Sequence, residues 1–276
     1  MTLAATATLG VFDQFAETFE PLLMPKNILL LTATINPLKG IPSLARTDPV
    51  LRLGDYSRSI GFYLGLLGKC FDGIVFVENS AYDLSPLKEQ VKAAGAADRV
   101  EFISFYGLDY PPSYGRGYGE FKLVDHGRAH SQFLRQDDDQ ITWKCTGRYL
   151  IRNLDKIVLR QPKSFDIYCH MRNYQYRLCD LFLLAWNNKG YEAAIRGVYA
   201  KLRNDVSAGQ HTIEETLFRK VIEGLPGDVR VVNRFQQVPL VDGIRGWDNT
   251  SYSSRPWHLK ILIRQFARTF LPWLWI

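Results

Sequence analysis

At 276 residues the chain is longer than a common single domain, yet one α/β domain with insertions can build that length around one core. Hydrophobic residues make up 46% and charged residues 22%, which excludes a disordered or fibrous chain. The 34 Lys+Arg against 28 Asp+Glu leave a formal charge of +6, a balance that favours anionic partners such as phosphates, nucleic acid or acidic headgroups.

The leader, residues 1–26, has no Lys or Arg before Lys26 and carries Asp13, Glu17 and Glu20, unlike a secretory signal peptide. No apolar run approaches the roughly 20 residues needed to span a bilayer. Cys70, Cys145, Cys169 and Cys179 form no C-x-x-C pair, so neither a zinc site nor a disulfide framework is expected. Reduced thiols in a cytoplasmic, soluble or peripheral protein fit this usage.

Residues 27–35 (NILLLTATI) form a continuous apolar, β-branched run that predicts a buried strand. The Pro-rich stretch behind it predicts a loop leaving the strand's carboxyl end, where open α/β sheets bind ligands. A helix is expected over 55–69, with Asp55 as its cap and Tyr56, Ile60, Tyr63, Leu64 and Leu67 on one face. A strand at 73–79, a helix at 84–97 and a strand at 99–106 follow. This alternation predicts a mostly parallel sheet flanked by helices.

The tract 107–119 reads as a structured loop before a helix at 120–134, and strands are expected at 140–150 and 166–171. Helices around 190–203 and 212–224, a short strand at 229–233 and a glycine-containing tract at 237–252 complete the domain.

Two segments carry chemistry. In G-R-G-Y-G-E (115–120), Gly115, Gly117 and Gly119 allow either close approach to a ligand at a helix N-terminus or simply a tight turn. Lys144 and Arg148, four apart on a predicted strand, share a face by period-two alternation. Two buried cations need compensation, by a diphosphate or by carboxylates such as Glu120 or Asp180.

The segments NILLLTATINP, DPVLRLGDY (48–56), GIVFVENS (73–80), GRGYGE, KCTGRYLI (144–151) and VPLVDGIRGWDNTSY (238–252) together resemble the GT-A glycosyltransferases of bacterial capsule and lipopolysaccharide assembly. The resemblance implies a Rossmann-like nucleotide-sugar-binding domain over residues 27–252. It implies a donor pocket formed by Thr32, Thr34, Asn36, Arg52, Tyr56, Glu78, Asn79, Gly117, Lys144, Gly147, Arg148 and Tyr149. Where the family carries a metal-binding DxD, this chain has Thr146-Gly147-Arg148-Tyr149, so no metal ligand is assigned. Lys144 and Arg148 could offset the diphosphate charge without a cofactor, and Mn²⁺ or Mg²⁺ stays open as the alternative. The triplet Asp137, Asp138 and Asp139 precedes the strand and reads as a solvated turn.

Inverting transfer needs a general base. Glu214 is the candidate, with Arg148 as the second catalytic group; Glu215 reads as half of a T-x-x-E capping box with Thr212. The five histidines read as surface or packing residues.

The tail, residues 253–276, sets Lys260, Arg264 and Arg268 on one helical stripe among Leu259, Leu262, Ile263, Phe266 and Phe270. Trp273 and Trp275 follow. The pattern predicts either membrane-surface attachment through residues 255–276 or a helix packed on the domain with its charges in water. The expected activity is glycosyl transfer from a nucleotide-sugar to a lipid-linked or polysaccharide acceptor at the inner face of the cell membrane, without a nucleic-acid partner. The alternatives are a non-catalytic nucleotide or nucleic-acid module, or another nucleotide-sugar enzyme.

Overall fold

The computed structural model describes residues 26–134, 139–174, 176–204, 213–271 and 273–276. The leader up to residue 25, Asp137, Asp138, His211 and Thr212 lie outside them. Strand β1 (Lys26–Ala33) is central. Its Ile28 and Leu30 join one core layer, and Leu29, Leu31 and Ala33 the other. Burial on both faces explains the uninterrupted apolar run.

Helix α1 (Pro49–Leu64) crosses to β2 (Gly73–Glu78), and α2 (Ser85–Ala93) crosses to β3 (Val100–Ser104), each strand parallel to the last. Helix α3 (Gly115–His130) then carries the chain back to β4 (Gln140–Thr146), parallel to β1 on its other side. The winding therefore reverses between β1 and β4. That reversal opens a crevice at the carboxyl ends of the two strands, the preferred ligand position in such sheets.

The second half adds β5 (Leu150–Ile151), α4 (Leu154–Leu159), β6 (Ile167–Tyr168), β7 (Met171–Arg172), β8 (Leu178–Cys179) and β9 (Leu183–Trp186). Next come a short α5 (Asn188–Gly190) with a π turn, α6 (Ile213–Glu223), β10 (Val231–Val232), β11 (Val241–Asp242) and α7 (Arg255–Phe270). Strand β9 inserts antiparallel between β4 and β6, giving the order β10-β6-β9-β4-β1-β2-β3. The pairs β5–β11 and β7–β8 stand apart as small antiparallel ribbons. The architecture is the expected mixed α/β, with a seven-stranded, mostly parallel sheet between helices.

Several local expectations are corrected. Helix α1 starts at Pro49, six residues before the predicted cap, because Asp48 accepts from Val50 N and Leu51 N at 2.8 and 3.1 Å. Proline at the first helical position leaves no amide unsatisfied. Asp55 is instead inside the helix, paired with Arg46 at 2.9 Å. The tract 115–119 is the first turn of α3, not a loop. Gly115 takes φ +87, and a Cβ on Gly117 would meet Glu214 Cγ at 2.6 Å, so these glycines let α3 start against α6. The strand expected over 140–150 stops at Thr146 in a turn closed by Tyr149 N on Thr146 O.

Helix α7 reverses the usual amphipathic sense. Leu259, Leu262, Ile263, Phe266 and Phe270 are each half or more exposed, while Ile261 and Ala267 are buried and Arg264 and Arg268 turn toward the domain. The alternative of a packed helix with its charges in water thus holds for the exposed Lys260 and fails for Arg264 and Arg268. The inward cations find Asp180, Tyr252 and Tyr168, which water-facing positions would not offer. Among the described residues no helix is long and apolar enough to cross a membrane.

Candidate functional site

A cavity of about 600 Å³ opens at the carboxyl ends of β1 and β4 and runs under α7. Its near end is built on Thr32, Thr34, Arg52, Tyr56, Thr146, Arg148 and Tyr149. Arg52 binds Thr34 O at 2.7 Å, Arg46 O at 2.8 Å and Tyr56 Oη at 3.3 Å, and Tyr56 Oη accepts from Thr34 N at 2.9 Å. The guanidinium thus fastens the loop behind β1 rather than standing open to a ligand. Arg148 is tethered more lightly: it donates to Ile244 O at 3.1 Å, approaches Asp55 at 3.7 Å and interacts with the Tyr149 hydroxyl.

The crevice itself is filled by Glu120. One carboxylate oxygen meets Lys144 Nζ at 2.6 Å and accepts from Thr32 and Thr146 at 2.7 and 2.9 Å. Burial alone raises the Glu120 pKa, but Lys144 and these hydrogen bonds outweigh it and hold the carboxyl below its ordinary range. Lys144 also donates to Leu181 O at 2.5 Å and is fully buried.

The cation pair expected on one strand face is therefore corrected. Lys144 lies on the α3 side beside Phe121 and does not line the cavity, while Arg148 lies within the strand-ending turn, over Tyr149.

Four further expected donor residues lie outside the cavity lining. Glu78 is buried, accepting from Ile35 N at 3.0 Å, Ser80 N at 2.9 Å and Tyr82 N at 3.1 Å, so it shapes the loops behind β1 and β2. Asn79 accepts from Thr34 Oγ1 at 2.6 Å and is buried. Asn36 is exposed, with its amide on Ser80 Oγ at 3.0 Å. Gly147 packs against β1, where a Cβ would meet Thr32 O at 2.8 Å. Each was expected from its place at a strand end; backbone amides take up the Glu78 carboxylate and the Thr34 hydroxyl takes up the Asn79 side chain.

The middle of the cavity holds an acidic pair at the start of α6 facing Arg116 of α3. Glu214 is buried, 3.7 Å from Arg116, and takes a long 3.4 Å hydrogen bond from Gly117 N. Glu215 Oε2 is buried without a hydrogen-bond partner. Burial first, then the Glu214 charge, pushes the Glu215 carboxyl up to about 7, with Arg116 opposing. Arg116 was missed in the sequence, although it sits within the GRGYGE segment.

The far end carries His170, Arg172, Asp180, Trp257, Lys260 and Arg264. Arg172 pairs with Asp180 at 2.6 Å. Burial pulls His170 down to about 4, with Asp180 opposing and Arg172, Arg268 and Arg264 reinforcing the shift. Asp180, Lys260 and Arg264 were weighed above in other roles and His170 as a surface or packing residue; Arg172 and Trp257 carried no signal in the sequence. They come from two-residue strands and from the inward face of a helix with inverted polarity.

The donor set does not fit a divalent cation. Thr146, Gly147 and Arg148 stand where an acidic ligand would end β4. Among the described residues no group of three or more His, Cys, Asp or Glu side chains is placed to hold a metal.

No family model matches the chain, and no curated protein matches its sequence. Among solved structures it is similar to the galactosyltransferase LgtC in complex with donor and acceptor sugar analogues, at 9% identity and TM-score 0.45, over 75% of this chain and 73% of that one. It is also similar to an inositol-1-phosphate CTP transferase from T. maritima, at 14% identity and TM-score 0.45, over 86% and 94% of the two chains. A nucleoside-diphosphate-sugar pyrophosphorylase from Vibrio cholerae RC9 aligns at 12% identity and TM-score 0.40, over 75% and 92%. At these identities and TM-scores the likeness says nothing of substrate or of any residue's role.

Proposed function

We propose that the chain is a GT-A-type glycosyltransferase that takes a sugar from a nucleoside diphosphate and places it on a lipid-linked or polysaccharide acceptor. The observation that carries this reading is the cavity at the β1/β4 reversal, which has an incompletely paired arginine at one end and an acidic pair in its middle. The nucleotide lies against Thr34, Tyr56 and Tyr149, with its diphosphate toward Arg148 and Arg116. A nucleic-acid module would spread its cations over an outer surface, whereas Arg116, Arg148, Arg172 and Arg264 all line this one cavity.

Transfer follows an inverting course in this reading. The acceptor hydroxyl gives its proton to a carboxylate as its oxygen bonds the anomeric carbon. The bond from that carbon to the diphosphate oxygen breaks, and the electron pair leaves with the nucleotide. Glu215 replaces Glu214 as the base, because its carboxyl titrates near the working pH and Oε2 is unpartnered. Glu214, engaged by Arg116 and Gly117 N, positions Arg116. The arginines offset the charge on the leaving diphosphate, so no cofactor is required.

Docking on the inner face of the cell membrane through residues 255–276 is supported by the outward apolar face of α7 and by Trp273, 72% exposed beyond it. Incubating the full chain with a panel of nucleotide-sugars tests the activity. Release of one nucleoside diphosphate, accelerated by an acceptor extract, is expected; release from none of them would refute transfer.

A further inference from the structure

Several side-chain donors around the far end of the cavity have no acceptor among the described residues. Arg264 lines the cavity yet makes no hydrogen bond or ion pair among the described residues; its guanidinium lies 5.2 Å from the Trp257 ring centre. Arg172 spends one nitrogen on Asp180 and leaves Nε buried without a partner. Trp257 Nε1 is likewise buried and unpartnered. Lys260 lines the same end without an ion pair among the described residues.

The cations are unevenly paired. Asp180 pairs with Arg172, Arg264 has no ion pair among the described residues, Lys260 is exposed at the cavity's edge, and burial holds His170 neutral at physiological pH. Glu215, held up at about 7, supplies only part of a second negative charge. Burial and the neighbouring Arg172 lower the Arg264 pKa, with Asp180 and Tyr252 opposing without cancelling them. Folding alone would turn the apolar stripe of α7 inward and its cations outward, yet Leu259, Leu262, Ile263, Phe266 and Phe270 face out while Arg264 and Arg268 turn in. Such an arrangement is costly unless an oxyanion completes it.

We propose that Arg172, Lys260 and Arg264 form an oxyanion site for the acceptor, so that the acceptor carries a phosphate or carboxylate. The proposal rests on the transferase reading and deepens it by naming the acceptor's chemistry. The anion supplies the lone pairs that Arg172 Nε, Trp257 Nε1 and the Arg264 guanidinium lack. It holds the acceptor on the α7 side of the cavity, beside Trp257 and Arg264.

Three probes read the site by calorimetry on the full chain: geranyl diphosphate for a lipid-carrier phosphate, methyl glucuronide for an acidic sugar, and neutral methyl glucoside. At least one anionic probe should bind more tightly than the glucoside. Arg264→Gln and Lys260→Gln should each weaken that binding by about tenfold or more, the loss expected for one charge-assisted hydrogen bond. Neither change removes a hydrogen bond within the protein, so folding is retained.

Binding of the diphosphate alone assigns a carrier phosphate, and binding of the glucuronide alone assigns an acidic sugar. No preference for either anion over the glucoside, or binding indifferent to both substitutions, overturns the proposal. Nucleoside diphosphate affinity, measured separately, should be unchanged in both variants. Its absence in the wild type would sink the transferase reading while the anion titrations still report on this site.

Discussion

Glu120 Oε1 lies 2.6 Å from Lys144 Nζ, inside the crevice where β1 and β4 part. The same oxygen accepts from one threonine of each strand, Thr32 and Thr146, which are register partners. An internal carboxylate therefore compensates the buried ammonium, and no ligand is needed for that purpose.

Removing one partner strands the other. Lys144→Met should destabilise the fold by about 3–5 kcal/mol, and the double variant with Glu120→Leu should recover much of that loss. Urea denaturation measures both. The Glu120 carboxyl is depressed in the folded state, so its contribution is present above the unfolded value of about 4.3 and is lost as pH falls through the folded value. The acid limb of the stability curve should flatten in the double variant.

Glu215 has the opposite sign. With its folded pKa raised to about 7, its contribution to stability is present below the unfolded value of about 4.3 and is lost as pH rises through about 7. Glu215→Gln should raise Tm at pH 8 while lowering kcat by about 10²–10⁴ and removing the rise in activity through pH 7. A pH–rate profile identical to the wild type would remove Glu215 as the base.

The outward face of α7 predicts a surface effect without a folding effect. Phe266→Asp with Phe270→Asp should change stability by no more than about 0.5 kcal/mol per site, since both side chains are about 60% exposed. Co-sedimentation with anionic lipid vesicles should fall sharply. Undiminished co-sedimentation would refute docking through this face.

Much of the scaffold was legible in the sequence. The runs 27–35 and 73–79 can only be strands buried on both faces, and the helix–strand alternation around them located the crevice behind β1. The partner of Lys144 was not legible to the same degree. A buried cation declares that an anion is needed, but not whether the protein or a ligand provides it. The far end was hidden for a different reason. Strands β7 and β8 have two residues each, too few for an alternating pattern, and the α7 pattern defines two faces without saying which turns inward. The usual rule that apolar faces are buried gives the wrong answer there, because the cations of α7 line a cavity.

Nucleotide binding should also be independent of divalent metal, since Arg148 stands where a metal ligand would end β4. Thermal shifts produced by the bound nucleoside diphosphate should be equal in Mn²⁺ and in EDTA. A shift seen only with Mn²⁺ would contradict charge compensation by Arg148 and Arg116.

The central claim is that a nucleoside diphosphate binds at the β1/β4 reversal against Arg148. Calorimetric titration of UDP, GDP and dTDP and their sugars into the wild type, Arg148→Gln and Lys144→Met tests it most directly. The account predicts saturable binding of one nucleotide, weakened by about tenfold or more in Arg148→Gln and unchanged in whatever fraction of Lys144→Met is folded. Binding of none of them, or equal binding by the wild type and Arg148→Gln, would contradict it.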